Sequence, residues 1–155
     1  MLRMSKKVFL VKTQAGFVLV ELLVALSIVI AMSVMVLALS YPWLLSFKLS
    51  GAARGLAVDL RYVQQKAVAE QIEYGIYFGA DFYQLKRFGS TTTTVFLSKS
   101  LPRDVRFSQV SGFNGNEAVF NVYGAVEEAG NIILTNSRNE SRTLNIRPSG
   151  FVKVF

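Results

Sequence analysis

A long apolar stretch lies near the start of the chain and reads QAGFVLVELLVALSIVIAM over residues 14–32. After Glu21, the 26 residues from Leu22 to Phe47 carry no charge. As a helix they would extend about 39 Å, which exceeds the bilayer's hydrocarbon thickness of about 30 Å. A core helix of a soluble protein rarely stays apolar on every side for this length. The stretch therefore predicts a membrane-spanning helix.

The distribution of charge predicts the direction in which this helix crosses the membrane. The formal net charge is +7, and four basic residues before residue 17 supply +4 of it with no acidic residue among them: Arg3, Lys6, Lys7 and Lys12. The positive-inside tendency then places the N-terminus in the cytoplasm. The 108 residues after Phe47 are expected on the other side of the membrane.

The side chains that most often carry chemistry are missing, because the sequence has neither cysteine nor histidine. This excludes thiolate metal sites, disulfides and cysteine nucleophiles, and it removes the commonest general base and zinc ligand. The adjacent Glu127 and Glu128 lie between Gly124 and Gly130, which is typical of a solvated loop. We therefore expect no enzyme, no cofactor and no metal site.

Glu21 is the unexpected residue in the apolar stretch. A carboxylate costs about 2.5–3.5 kcal/mol at the centre of a spanning helix, and less near its end, so it needs a role and a partner. A cleavable signal peptide would have a shorter apolar region, and a plain signal anchor gives Glu21 no role. If the chain were cut after Gly16, the new α-amine of Phe17 would lie one helical turn from Glu21. That amine, on its own or on a neighbouring helix, could pair with the carboxylate.

The residues Gly16-Phe17-Val18-Leu19-Val20-Glu21, followed by Leu22-Leu23-Val24, resemble the processing site of type IV pilins and type II secretion pseudopilins. The resemblance implies that a prepilin peptidase cuts between Gly16 and Phe17 and N-methylates Phe17. It also implies that Glu21 sets the register of subunits in a helical filament. Val18 departs from the threonine that is frequent in the family, at a position outside the required chemistry.

The helix is expected to continue beyond the membrane. Its apolar residues recur at spacings of four and three, which predicts one buried helical face: Leu49, Ala53, Leu56, Leu60, Val63 and Ala67. The polar residues Arg54, Asp59, Arg61, Gln65 and Lys66 are assigned to the other faces. Pro42 is expected to kink or loosen the helix. Gly51 and Gly55 are interpreted as small residues where the helix meets its own domain, in preference to a dimerisation motif.

After Gln71 the pattern changes to short strands. Aromatic and β-branched segments alternate with turn residues and predict eight strands at Ile72–Phe78, Phe82–Phe88, Thr93–Leu97, Val105–Val110, Ala118–Val122, Ile132–Thr135, Thr143–Ile146 and Phe151–Phe155. The predicted fold class is α+β, with a long N-terminal helix whose second half packs against an antiparallel β-sheet domain. The expected divisions are a basic leader at 1–16, a transmembrane assembly helix at 17–47, its amphipathic continuation at 48–71 and a β domain at 72–155.

The later part of the chain also resembles H-type minor pseudopilins and related minor pilins. The similar stretches are AVDLRYVQQKAVAEQIEYGIYF at 57–78, GNIILTN at 130–136 and LNIRPSGFVKVF at 144–155. This implies a minor subunit of a type II secretion pseudopilus or type IV pilus, held in the inner membrane. The implied partners are the prepilin peptidase, other pilins, the inner-membrane assembly machinery and membrane lipid.

A second hypothesis rests on the basic residues of the last strands, Arg138, Arg142, Arg147 and Lys153. They could form a phosphate-contacting stripe in a DNA-binding minor pilin of a competence pilus. The alternative is that they cover the solvent face of an antiparallel sheet. We favour the interpretation that they cover the solvent face of the sheet, because residues from Phe17 onward carry a net charge of only +3.

Overall fold

A computed structural model of the protein describes residues 15–89 and 92–155, with side chains omitted at 15–16 and 37–41. Most of the expected leader, residues 1–14, therefore lies outside the described residues. The first element is a 56-residue helix, α1, spanning Ala15–Glu70. The residues divide into two compact units, one ending at Tyr41 and one running from Pro42 to Phe155. Helix α1 continues through Pro42.

In the first unit, the segment Phe17–Val36 is a 20-residue helix of mean hydropathy 2.7 with none of its apolar window buried. Its length and composition suit a membrane span. Ser27 and Ser33 do not break this character, because their hydroxyls donate back to the carbonyls of Val24 and Val29 at 2.7 Å. A hydroxyl that is satisfied inside its own helix needs no water within the hydrocarbon layer.

In the second unit, one face of α1 is buried. All six residues that the spacing predicted to lie on this face are buried, which confirms the prediction; Leu45 and Ala57 extend it. The helix ends after Glu70, where Gln71 takes a left-handed conformation at φ 54°. Its side-chain amide donates to the Val68 carbonyl at 2.8 Å, which satisfies one of the carbonyls that a helix end leaves open.

Within residues 15–89 and 92–155, eight antiparallel strands follow the helix and form two four-stranded sheets. In the first sheet the order is β3-β2-β1-β5, and in the second it is β4-β6-β7-β8. The strands are β1 Glu73–Phe78, β2 Phe82–Phe88, β3 Thr93–Ser100, β4 Val105–Ser111, β5 Glu117–Phe120, β6 Gly130–Asn136, β7 Ser141–Ile146 and β8 Val152–Val154. Each corresponds to a predicted strand, and the α+β class is confirmed. The division into two sheets was not predicted.

The hydrophobic core joins the buried face of α1 to both sheets. The first sheet contributes residues such as Ile76, Leu85 and Phe120, and the second contributes Leu134 and Leu144. Strands β5 and β6 alternate buried with more exposed residues, as expected of sheets with one face on the core. Neither sheet would bury its apolar face without the helix, which explains why a helix and strands of this length form one unit.

The interpretation of Gly51 and Gly55 was wrong. Both glycines are exposed, and a Cβ atom added at either position would meet nothing within 4 Å. They therefore lie on the outward side of α1 and not where the helix meets its own domain. The helical period explains this, because both positions are out of phase with the buried Leu49, Ala53 and Leu56.

Asp59 also departs from expectation, because it is buried instead of lying on a polar face. Asp59 is only 7% exposed, and its carboxylate accepts a hydrogen bond from the Tyr83 hydroxyl at 2.6 Å. The Lys99 ammonium lies 2.8 Å from both carboxylate oxygens. Burial raises the pKa of Tyr83, and the hydrogen bond to Asp59 adds to the shift. A buried carboxylate with two donors ties α1 to strands β2 and β3.

We expect Asp59→Ala to destabilise the folded protein by about 1–3 kcal/mol, because it leaves the Tyr83 hydroxyl buried without an acceptor. The measurement is denaturant unfolding of the full chain in detergent. Adding Tyr83→Phe should cost less than the sum of the two single changes, because no unpaired hydroxyl then remains. Glu127→Ala, in an exposed loop, is the matched control and should stay within about 0.5 kcal/mol of the parent. Additive costs would contradict the coupling.

Candidate assembly segment and basic strands

The predicted processing residues lie in the first turns of α1. The helix begins at Ala15, so Gly16 and Phe17 are within its first turn, and the Phe17 side chain is 76% exposed. Glu21 follows one turn later and is also exposed. Among the described residues, Glu21 has no hydrogen-bond or ion-pair partner. The carboxylate thus stands on an apolar helix surface, where its neighbours Val18, Leu22 and Val24 are each more than half exposed.

The chemistry open to the Glu21 carboxylate is to accept hydrogen bonds from a cation. A carboxylate on an apolar helix can accept hydrogen bonds from a cation on another chain, or from an amine created at Phe17. It cannot form a metal site by itself, and no group of three or more His, Cys, Asp or Glu residues suited to a metal occurs within 15–89 and 92–155. Glu127 and Glu128 lie in an exposed loop, as predicted.

The four basic residues of the last strands do not form one stripe. Arg142 is two residues before the buried Leu144, so it projects to the core side of the second sheet at its margin. Lys153 is paired in register with Asn145, which belongs to the opposite side. Arg138 lies in the turn between β6 and β7, and Arg147 follows β7. A continuous phosphate-contacting surface would need these side chains on one face.

Two of these cations lie instead over aromatic rings of their own strand region. The Lys153 ammonium is 4.3 Å from the centre of the Phe155 ring, and the Arg147 guanidinium is 5.8 Å from that of Phe151. Arg138 is 3.8 Å from a carboxylate oxygen of Glu140. Local attractions of this kind give three of the four cations partners within the chain itself.

A polar cluster at the start of the second unit was missed by the sequence analysis. The Ser46 hydroxyl donates to a carboxylate oxygen of Glu140 at 2.5 Å, and the Asn136 amide donates to the same oxygen at 2.8 Å. The Asn136 side-chain oxygen in turn accepts from the backbone N–H groups of Arg138 and Glu140 at 3.0 Å. Asn136 and Glu140 flank a turn, and this spacing could have predicted the contact between their side chains. The partner Ser46, 94 residues away, was not predictable from spacing.

The hydrogen bonds from Ser46, then from Asn136, lower the pKa of Glu140 from its ordinary value of 4.5. A carboxyl group with a lowered pKa in the folded state stabilises that state above its unfolded pKa and loses the contribution as pH falls. Below about pH 4.5 we therefore expect the unfolding free energy to fall more steeply in the parent than in Glu140→Gln. Unfolding curves between pH 6 and 3 measure this, with Glu127→Gln as a control that keeps the parent's slope. Equal slopes for the parent and Glu140→Gln would contradict the assignment.

Comparison with solved structures identifies the fold. The minor pseudopilin EpsH of the Vibrio cholerae Type 2 Secretion System superposes with a TM-score of 0.61 at 8% identity, covering 70% of this chain and 96% of EpsH. The type IV minor pilin FimU of Pseudomonas aeruginosa gives a TM-score of 0.58 at 14% identity, covering 71% of this chain and 90% of FimU. The chain has the pilin-like fold. No family profile and no curated protein sequence matches it.

The pilin-like fold accounts for the arrangement of α1 and its sheets. The similarity to EpsH and FimU extends over nearly all of those two structures, so it includes the sheets as well as a helix. At such low identity it establishes the fold and not the function. Function must therefore be argued from Gly16, Phe17 and Glu21 at the head of the apolar helix.

Proposed function

We propose that this chain is a minor pilin or pseudopilin subunit. It is processed by a prepilin peptidase between Gly16 and Phe17, methylated on the Phe17 amine, and assembled into or placed at the start of a type II secretion pseudopilus or type IV pilus. The observation that carries the proposal is the combination of a pilin-like fold with the Gly16-Phe17 and Glu21 spacing at the start of a span-length apolar helix.

The assembly role of Glu21 follows from its surroundings. Its carboxylate is exposed on an apolar helix, with no partner among the described residues. After cleavage, the amine of Phe17 would supply a cation one turn away, on the same helix or on a neighbouring one. In the bilayer the charge is costly, whereas between packed subunits it would be paired. The pairing would thus favour the assembled state over the dispersed membrane state.

The same proposal predicts in which membrane the chain lies and which proteins it contacts. The helix would span the inner membrane once, with the basic N-terminus in the cytoplasm and the sheets outside, and it would contact lipid before assembly. Other pilins or pseudopilins and the inner-membrane assembly machinery would be its protein partners. The dispersed positions of Arg138, Arg142, Arg147 and Lys153 give the DNA-binding alternative no support.

Processing is tested by mass spectrometry of the protein in a peptidase-competent host. We expect a mature chain that begins at methylated Phe17, and we expect Gly16→Val to block its formation, because a branched side chain would occupy the residue before the scissile bond. Val18→Thr is the matched control, since it restores the residue frequent in pilins and should leave cleavage unchanged. Recovery of an intact chain beginning at Met1 from the unmodified protein would refute the processing step.

Assembly is tested with Glu21→Ala. The variant should insert and be cleaved normally, yet its recovery in sheared filament fractions should fall by a factor of about 100 or more, because loss of one partner from a buried ion pair costs about 3–5 kcal/mol. Immunoblots of membrane and filament fractions measure both steps. Glu21→Gln separates charge from side-chain size and should show a similar loss. Normal assembly of Glu21→Ala would show that the carboxylate has no such role.

A further inference from the structure

Each sheet ends in two edge strands, and within the described part of the chain three of these four edges are covered by the protein's own contacts. At β5 the Glu127 N–H donates to a strand carbonyl at 3.0 Å, and at β4 the Ala80 carbonyl accepts a strand N–H at 3.3 Å. At β8 the Val152 carbonyl accepts from the Arg61 guanidinium at 3.2 Å. The outer edge of β3, among the same described residues, has no such contact.

Strand β3 is also the longest described strand, with eight residues, and all eight are exposed. Its centre is apolar: Val95 is 45% exposed, Phe96 40% and Leu97 38%. About half of the backbone N–H and C=O groups of an edge strand point away from the neighbouring strand, so they are open to a further strand. Native sheets usually protect such an edge. An open apolar edge therefore marks a site at which another strand can add.

Strand β3 lies along α1 and runs in the opposite direction to it. The Lys66 ammonium is 5.7 Å from the centre of the Phe96 ring, and three residues further along the strand the Lys99 ammonium is 2.8 Å from Asp59. The strand thus passes from a later to an earlier position of the helix. A bulge leaves Phe96 without an opposite residue in β2, and its ring packs edge-on against Tyr74 at 5.7 Å. These contacts hold the open edge on a fixed course.

A cation lies near each end of this open edge. Arg87 of β2 pairs in register with Thr94, and Lys99 lies about 17 Å further along β3. Neither β2 nor β3 contains a carboxylate. The Arg87 guanidinium is 3.9 Å from Glu70 and donates no hydrogen bond among the described residues. The Lys99 side chain is 43% exposed although its ammonium contacts Asp59. Both cations therefore keep donors for a further carboxylate.

We propose that the outer edge of β3 binds an extended segment of a different protein, which adds to the first sheet as a fifth strand. The segment is apolar at its centre, where it covers Val95 and Leu97, and it carries carboxylates near its ends, where it meets Arg87 and Lys99. Backbone hydrogen bonds supply an attraction that any strand could share. The terminal charges and the apolar centre select among strands.

A second copy of this chain fits the same edge less well. Antiparallel pairing of two β3 edges would set the two α1 helices in opposite directions, because each strand runs against its own helix. Parallel pairing in register would place the two Lys99 side chains next to each other, and like charges at that distance repel. The other described edges of a second copy are already covered. The exclusion of antiparallel pairing rests on the proposed function, which inserts every copy in the same direction.

Strand addition is tested with the synthetic peptide ETVTVTVE, blocked at both ends and added to the full chain in detergent micelles. We expect saturable binding and slower hydrogen exchange of the amides in Thr93–Ser100, whereas the amides in Val152–Val154 keep their exchange rates. The matched control peptide is N-methylated at its four central residues, which removes backbone donors and keeps the side chains. It should bind at least about tenfold more weakly. Absence of binding, or equal affinity for the N-methylated peptide, would overturn the inference.

Two variants with matched controls locate the binding site, and the melting temperature of each variant checks its fold. Val95→Lys places a charge at the apolar centre of the edge and should weaken ETVTVTVE binding at least about tenfold. Phe151→Lys changes a similarly exposed residue before β8 and should leave the affinity unchanged. Arg87→Glu should weaken ETVTVTVE binding about fivefold and strengthen that of KTVTVTVK, whereas Lys153→Glu should change neither. An unchanged affinity in Val95→Lys would contradict the site.

The outcomes separate this inference from the proposed function. If Phe17 is generated and filaments form but ETVTVTVE does not bind, the inference is wrong while the proposed function stands. If the chain dimerises and its β3 amides exchange slowly without any peptide, a second copy occupies the edge and the inference is again wrong. If ETVTVTVE protects β3 although Gly16 is never cut, the edge site is supported and the processing proposal fails.

Discussion

The packing of one face of α1 against two separate sheets is the interaction on which the second unit depends. Each sheet has only four strands, and each turns apolar residues toward the same helix. Removing the helix would expose both apolar faces at once, so the strands and the helix must form together. The helix therefore serves as the shared core wall of the unit as well as the continuation of the apolar segment.

Polar contacts then fix where the helix lies along the sheets. Asp59 joins it to Tyr83 of the first sheet, and Ser46 joins it to Glu140 beside the second. Five residues after Asp59, the Gln64 amide donates to the Gly124 carbonyl at 2.7 Å. This contact lies close to Gly150, where an added Cβ would come within 2.1 Å of the same carbonyl oxygen. Hydrophobic burial alone is not directional, and these bonds make one longitudinal position of the helix preferable to others.

The sequence predicts elements well and their partners poorly, for a physical reason. The spacing of Leu49, Leu56 and Leu60 is a local property of a helix, and strands such as Phe82–Phe88 are marked by nearby turn residues. In contrast, the burial of Asp59 depends on Tyr83 and Lys99, which lie 24 and 40 residues away. The division into two sheets likewise depends on which strands pair, which no single strand encodes. The Gly16, Phe17 and Glu21 motif could be recognised from the sequence because its residues lie within one short stretch, and its role in processing and assembly stays a prediction.

The apolar residues of α1 that the fold leaves exposed are the remaining feature to explain. In a protein surrounded only by water, the exposed Phe47, Val58 and Tyr62 on one helix face would not stabilise the fold. The same holds for the exposed apolar segment that carries Glu21. Glu21 is the only charged residue of the segment Phe17–Val36, and it has no hydrogen-bond or ion-pair partner among the residues that the structure describes. Removing this charge from water without a partner is unfavourable, whereas pairing it with a cation offsets the desolvation penalty. Contact with a cation outside this segment would therefore remove a penalty that the helix cannot remove by itself.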